Sequence, residues 1–401
     1  MRASLRRMTD VAVDLARRIE GVLTAHPPET TDRLEFLRAR FAAGLAWVHY
    51  PEGLGGLGLD ARYQPDVDAV FAAAGAPDNR PHGNVIGLGM AAPTVLRYAT
   101  PEQQQRWIPP LWTGEEIWCQ LFSEPGAGSD LAAAGASARR DGDAWVVNGQ
   151  KVWTSLAHDA RWALLLVRTG PTLPKHQGLS YFVLDLTTPG VDVRSLRQLT
   201  GEAEFNEVFL DDVRVPDENR LGEIGEGWKV TQATLMNERV AIGGGAGTRE
   251  SGPIGDVVRL WRESPQARRP ENFDALLRLW TDAEALRLTG ARLGQQLEVG
   301  APGPEGSGLK LAFAELAQAA ASLQLDLLGS EALRYDDWSL RRPDFSSPPD
   351  RVAGYWYLRN RANSIEGGTS EIMRNIISER VLGLPSEPRV DTDIPWKDLP
   401  K

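Results

Sequence analysis

Two carboxylates stand close together in SIEGGTSEIMRN, residues 364–375: Glu366 just before a Gly-Gly pair, and Glu371 five residues on. A third candidate is Glu238, in the helical run WKVTQATLMNERVAI. A carboxylate held within reach of a substrate C–H can act as a general base, so all three are weighed for proton abstraction. The same-face neighbours of Glu238 at three, four and seven residues are Thr231, Thr234, Leu235, Ala241 and Ile242, a small and mostly apolar surface. Partial desolvation there raises a carboxyl pKa toward the operating pH and strengthens the base. The plain alternative is a helix-surface Glu paired with a basic neighbour such as Arg239.

Two other stretches are suited to holding a cofactor. In FSEPGAGSDLA, residues 122–132, a strand runs into a Ser-Glu-Pro-Gly turn, and Gly128, Ser129 and Asp130 then offer backbone N–H groups and a hydroxyl without bulk. Such a turn can approach a ligand closely and hydrogen-bond a phosphate or a ring carbonyl. KVWTS, residues 151–155, supplies an indole able to flank a flat ring system and two hydroxyls able to donate to its heteroatoms. Together they suggest a flavin. GLGGLG, residues 53–58, matches the dinucleotide fingerprint only by letters, because no strand precedes it and no helix opens on it.

These residues need a scaffold with two textures. Apolar positions recur at three and four from Val11 through Leu15, Ile19 and Leu23, and again through Leu34, Leu37, Phe41 and Leu45, which is helical periodicity. Between Glu116 and Leu210 the chain shifts to short β-branched and aromatic runs, with Asp141-Gly142 and Asn148-Gly149 reading as hairpin turns. Helical periods return over Trp228–Gly243, Phe273–Leu297, Leu309–Leu328 and Ile372–Leu382. The expectation is an α+β chain: helical residues 1–114, an antiparallel β domain over 115–216 and a helical domain over 217–401. A net charge of -10 disfavours a nucleic-acid reader. The one cysteine, Cys119, excludes an intramolecular disulfide, and the five histidines show no metal-ligand spacing, so no metal is expected. No apolar h-region follows MRASLRRM and no run approaches the ~20 apolar residues of a membrane span, which points to the cytoplasm.

Five landmarks in order, YPEGLGGLGLD, CQLFSEPGAGSDLA, NGQKVWTS, GEGWKVTQATLMNERV and IEGGTSEIMRNIISERVLGLP, resemble the acyl-CoA dehydrogenase family over nearly the whole chain. The resemblance implies a helical N-terminal domain, a β domain, a C-terminal four-helix bundle, FAD as cofactor, and α,β-dehydrogenation of an acyl-CoA thioester. It further implies that Gln120, Phe122 and Ser123 line the flavin ring and that Ser129 lies at the pyrophosphate. Trp153 would flank the ring, Ser155 would bond near N5, and Thr369 and Glu371 would meet the cofactor. Many members carry the base as the Glu of a Tyr-Glu-Gly-Thr run; aligned on Gly368-Thr369, that position here is Gly367. A minority, similar to the isovaleryl-CoA and long-chain enzymes, carry it on the first helix of the C-terminal domain followed by Arg, which corresponds to Glu238 and Arg239. The N–H of Gly367 would then hold the thioester oxygen.

The chain also departs from the family pattern. RLWRESPQARRPENFDALL stands where an Arg-x-x-Phe-Gly stretch is usual, and Asp326 and Ser330 replace a Gln and a Gly. Those motifs reach a neighbouring subunit's FAD, so the resemblance leaves open a homodimer or homotetramer, or a heterotetramer with a related dehydrogenase chain. Electron-transfer flavoprotein is the implied electron acceptor. Alternatives on the same fold are a flavin oxidase or monooxygenase, a dehydrogenase of carrier-protein thioesters, and a non-catalytic subunit of a heteromeric enzyme.

Overall fold

The computed structural model describes residues 2–79, 84–243, 247–265, 268–299, 303–335, 338–342, 351–389 and 391–399, with the side chains of 2–9, 237–243 and 297–299 outside the description. Helices α1 (Arg2–Ala25), α2 (Arg33–Ala42), α3 (Gln64–Ala73), α4 (Ala92–Tyr98) and α5 (Pro101–Thr113) come first. Their ends are capped by local chemistry. Asp32 accepts from the N–H groups of Leu34 and Glu35 at the start of α2. At α5, Thr100 and Gln103 each accept the other's backbone N–H, occupying donors that a helix start leaves unpaired. Leu15, Ile19 and Val22 of α1 pack with Phe36, Val67 and Phe71, as the period of three and four predicts. GLGGLG is a packing turn between α2 and a 3-10 turn at Ala61–Tyr63; a Cβ on Gly56 would lie 2.0 Å from the Tyr50 carbonyl oxygen.

One sheet follows, built from β1 (Trp118–Leu121), β2 (Ser137–Asp141), β3 (Ala144–Ser155), β4 (Trp162–Arg168), β5 (Leu179–Asp185), β6 (Val191–Ser195) and β7 (Phe205–Pro216). The order is β1-β4-β2-β3-β7-β6, with β5 also on β4. Antiparallel pairing holds for β2–β3, β3–β7, β4–β5 and β6–β7, but β1 and the first residue of β2, Ser137, pair parallel with β4. The sheet is therefore mixed at β4. The β2–β3 hairpin acts as a crossover long enough to return β4 in the direction of β1. Asp141-Gly142 makes the hairpin turn between β2 and β3, with Gly142 at φ 67°. Asn148-Gly149, expected as a second turn, instead lies inside β3, where the register with β7 slips. Asn148 and Asp212 hydrogen-bond across this bulge at 2.9 Å, and a Cβ on Gly149 would lie 2.6 Å from that of Ala136.

The C-terminal part comprises α6 (Gly227–Gly243), α7 (Pro253–Glu263), α8 (Pro270–Val299), α9 (Gly306–Leu328), α10 (Ala353–Arg359) and α11 (Ser370–Ile376). Helix α9 packs against all five others, which explains why it is apolar nearly all round. Gly306–Leu333 is the one described helix long and apolar enough, by length and composition, to cross a membrane. In this fold its Leu309, Ala314, Ala317, Ala320, Leu323 and Leu327 are buried. A shared core of Trp107, Trp118, Trp162, Leu164, Tyr181, Leu221 and Val230 joins α5, the sheet and α6. Three of its tryptophans meet edge-on or tilted, with ring centroids 6.0–6.1 Å apart, so they serve packing.

Candidate active site

The chain leaving β1 is fastened to β3 by a buried ion pair. Glu124 accepts from the N–H groups of Gly135 (2.7 Å) and Ala136 (2.9 Å) and from Lys151 Nζ (2.7 Å). Lys151 is fully buried and also donates to the Phe122 carbonyl at 3.0 Å. Burial pulls its ammonium pKa down, and the charge of Glu124 works against that shift. The turn itself closes through paired backbone bonds between Glu124 and Ala127, both 3.0 Å, and Val152 N–H donates to the Ser123 carbonyl at 2.9 Å. Gln120–Ser123 and Lys151–Ser155 are thereby brought side by side.

Immediately after this junction β3 bulges. Its register with β7 slips between Lys151 and Thr154, and Trp153 takes a left-handed φ of 61°, costly for a residue with a Cβ. The bulge turns the indole outward, where it is 59% exposed and touches Phe205 edge-on at 5.9 Å. Phe122 is buried edge-on to Tyr181. The Gln120 carboxamide oxygen and the Thr154 hydroxyl are buried with no hydrogen-bond partner among the described residues. Orphaned groups of this kind call for a ligand or water. The Gln120 oxygen on β1 and the outward indole on β3 could meet the polar edge and the flat face of a flavin. Ser123 and Ser155 are half-buried, while Ser129 is exposed in the middle of the loop.

The segment at 366–371 is tied through Arg359 to Glu204, the residue before β7. Gly367 and Gly368 take φ 63° and 95°, and Lys310 Nζ donates to the Gly368 carbonyl at 2.6 Å. Thr369 caps α11 by accepting from Ile372 N–H. Glu371, in the first turn, has its carboxyl pKa lowered by its own backbone N–H and by the Thr369 hydroxyl, which makes it a poor base. Glu366 pairs with Arg359 at 3.1 Å. Arg359 also grips Glu204 at 3.0 Å and lies 5.6 Å from the Phe205 ring centroid. Burial alone would lower this guanidinium pKa; the two carboxylates together raise it. Arg359 thus links the Gly-Gly loop, through Phe205, to Trp153. Sequence reasoning missed it, since only the fold brings GEAEF, residues 201–205, to α10.

Helix α6 is set by hydroxyls. Thr234 lies 2.9 Å from the Thr94 hydroxyl and 3.1 Å from that of Tyr181, and donates to the Val230 carbonyl at 3.0 Å. These bonds join α6 to α4 and β5. Glu238 and Arg239 follow along the same helix, and their side chains lie outside the described residues.

Comparison with known proteins gives the same picture along the chain. Family models of the acyl-CoA dehydrogenase N-terminal, middle and C-terminal domains match residues 1–115, 119–213 and 225–382. Acyl-CoA dehydrogenase IpdE1 of Mycobacterium tuberculosis is 40% identical over 86% of this chain and 86% of its own length. Among solved structures, the Tcur3481-Tcur3483 steroid ACAD has a TM-score of 0.70 at 26% identity, covering 94% of this chain and 98% of its own. The ChsE4-ChsE5 complex from Mycobacterium tuberculosis has a TM-score of 0.69 at 29% identity, with the same coverage. The chain belongs to the acyl-CoA dehydrogenase family of FAD-dependent enzymes.

Proposed function

We propose that the protein dehydrogenates an acyl-CoA thioester to the trans-2-enoyl-CoA, with Glu238 as the base that takes the α proton. The observation that carries this reading is the pairing of an outward Trp153 on β3 with an orphaned Gln120 oxygen on β1, two strand ends tied together through Lys151 and Val152. Bound FAD supplies the hydride acceptor. Gln120, Phe122, Ser123, Trp153 and Ser155 hold its ring, and Ser129, Thr369 and Glu371 hold its remainder. The N–H of Gly367 donates to the thioester oxygen, favouring the charge that develops there as the α proton leaves. Arg239, the next residue in the chain, is the arginine that follows the helix-borne base in the family pattern.

The assignment of Glu238 is supported by the state of its rivals. Glu366 is committed to Arg359, position 367 has no side chain, and Glu371 is weakened as a base at the start of α11. A second feature concerns subunits. Asp326 is exposed on α9, and the two solved structures described above are titled as pairs of different chains. Both support a related dehydrogenase chain as partner; electron-transfer flavoprotein as acceptor and a cytoplasmic setting complete the proposal.

The test is anaerobic titration of the purified flavoprotein with straight-chain, branched and ring-bearing acyl-CoA thioesters, followed at the flavin absorbance band. Steroid-type thioesters belong in the panel because a structural neighbour is titled a steroid ACAD. Bleaching by at least one thioester, with negligible oxygen consumption on readmitting air, is the expected result. Rapid oxygen consumption would favour an oxidase or monooxygenase, and bleaching only by carrier-protein thioesters would change the substrate class.

A further inference from the structure

The loop that follows β1 is held from inside by Glu124 and Lys151, but it is also held from outside, by the last described segment of the chain. Lys175, on the connection between β4 and β5 and 9% exposed at its side chain, bonds Asp130 at 2.7 Å and Asp391 at 2.5 Å. Burial by itself would lower the Lys175 pKa, and the two carboxylates raise it, so the cation persists between them. Five residues after Asp391, Trp396 donates from Nε1 to the Ala133 carbonyl at 2.9 Å. Its ring lies 4.6 Å from the Arg168 guanidinium and so close to Gly135 that a Cβ there would sit 3.1 Å from the indole. Arg168, buried, points its own donors at the carbonyls of Ala132 (2.6 Å), Ala134 (2.9 Å) and Lys175 (3.0 Å). Trp396 N–H donates to the Leu173 carbonyl at 2.9 Å and Lys397 N–H to that of Pro171 at 3.0 Å.

We infer that Asp391–Leu399 is a strap that fixes the backbone of the 123–136 loop in the geometry a bound flavin requires, with Asp391, Lys175 and Trp396 as its positioning residues. The inference rests on the reading of that loop as the flavin-binding turn. A Gly-rich turn has many accessible conformations, and a ligand that must order it binds more weakly than one that meets it already ordered. The strap contacts the loop at Asp130, Ala133 and Gly135, beyond Ser129, while Glu124 and Lys151 fix its start. The loop is thus clamped at both ends with its exposed middle free to meet a ligand.

The test measures the FAD dissociation constant of full-length apoprotein by fluorescence quenching for wild type, Asp391→Asn, Trp396→Ala and their combination, with Asp393→Asn as an exposed control in the same segment. The double variant is expected to bind FAD about tenfold or more weakly, while Asp393→Asn matches wild type. Asp391→Glu is expected to recover most of the affinity lost in Asp391→Asn. Limited proteolysis should cut the double variant between 123 and 136 earlier than wild type, with circular dichroism unchanged. FAD affinity unchanged in a folded double variant would overturn the strap. Should the double variant fail to fold, Lys175→Met gives the same readout, because it severs both ion pairs while keeping Trp396. A wild-type protein that binds no FAD would instead overturn the reading of the loop itself.

Discussion

Trp153 shows how one residue can be poor for the fold and good for the site. Its left-handed backbone costs about 1–2 kcal/mol for any residue with a Cβ, and its exposed indole recovers only about 0.5–1.5 kcal/mol from the contact with Phe205. Glycine accepts that backbone freely but carries an unfolded-state entropy cost of about 0.5–1 kcal/mol. These contributions nearly cancel. Trp153→Gly is therefore expected to shift apoprotein stability by no more than about 1 kcal/mol in a denaturant titration, while FAD binding, measured separately, falls sharply. Lys151 behaves in the opposite way. Lys151→Met leaves the Glu124 carboxylate, mostly buried, without its counter-charge, a loss of about 3–5 kcal/mol. A denaturation midpoint close to wild type would contradict that role. The indole and two hydroxyls of KVWTS declare their chemistry in the sequence, which is why the proposed flavin contacts start there. The buried role of Lys151 was not, because nothing in its spelling distinguishes a surface lysine from one folded against Glu124.

Between elements, the hydroxyls of Thr94, Thr234 and Tyr181 tie α4, α6 and β5 together directly. Burial pushes the Tyr181 phenol pKa up, so it remains a neutral donor. Removing Thr234 strands the Tyr181 hydroxyl in an apolar setting, whereas removing that hydroxyl leaves Thr234 still bonded to Val230 and Thr94. Thr234→Val is thus expected to cost about 1–3 kcal/mol and Tyr181→Phe about 1 kcal/mol or less. Equal losses, measured by urea unfolding at one pH, would remove Thr234 as the hub. The helical periods predicted α6, α8 and α9 well, since each has a long apolar face or an apolar circumference. Helix α7 was overlooked although Ile254, Val257, Val258 and Trp261 make an apolar stripe behind a Pro at its first turn, whereas α10 is short and the clustered aromatics of AGYWYLR mask its period. The mixed sheet escaped too, because strand direction is set by how β2 and β3 return the chain, and no residue pattern within β1 or β4 encodes it.

The whole molecule's response to acid follows from carboxylates whose pKa the fold lowers. Asp217 is held down first by Arg220 at 3.1 Å and then by Trp145 Nε1 at 2.7 Å, and Asp391 chiefly by Lys175. A folded pKa below the unfolded value of about 3.9 gives stability that is full above that value and is lost as pH falls through the folded one. Asp217→Asn should accordingly lower stability at pH 7 and flatten its decline below about pH 4, seen as a shallower acid limb in a plot of melting temperature against pH. An acid limb as steep as wild type would show that Asp217 is not among the controlling groups. At this scale the order of helices, strands and helices was evident from the changing period of the sequence. What joins them at the site was not: Arg359 reaches Glu204 across 155 positions, and Trp396 reaches Ala133 across 263. The measurement that bears most directly on the account is the rate of flavin bleaching by a reactive acyl-CoA in wild type, Glu238→Gln and Glu366→Gln, each loaded with FAD. The account predicts that Glu238→Gln slows bleaching by about 100-fold or more and that Glu366→Gln retains it. Wild-type bleaching in Glu238→Gln, with loss of bleaching in Glu366→Gln, would contradict it.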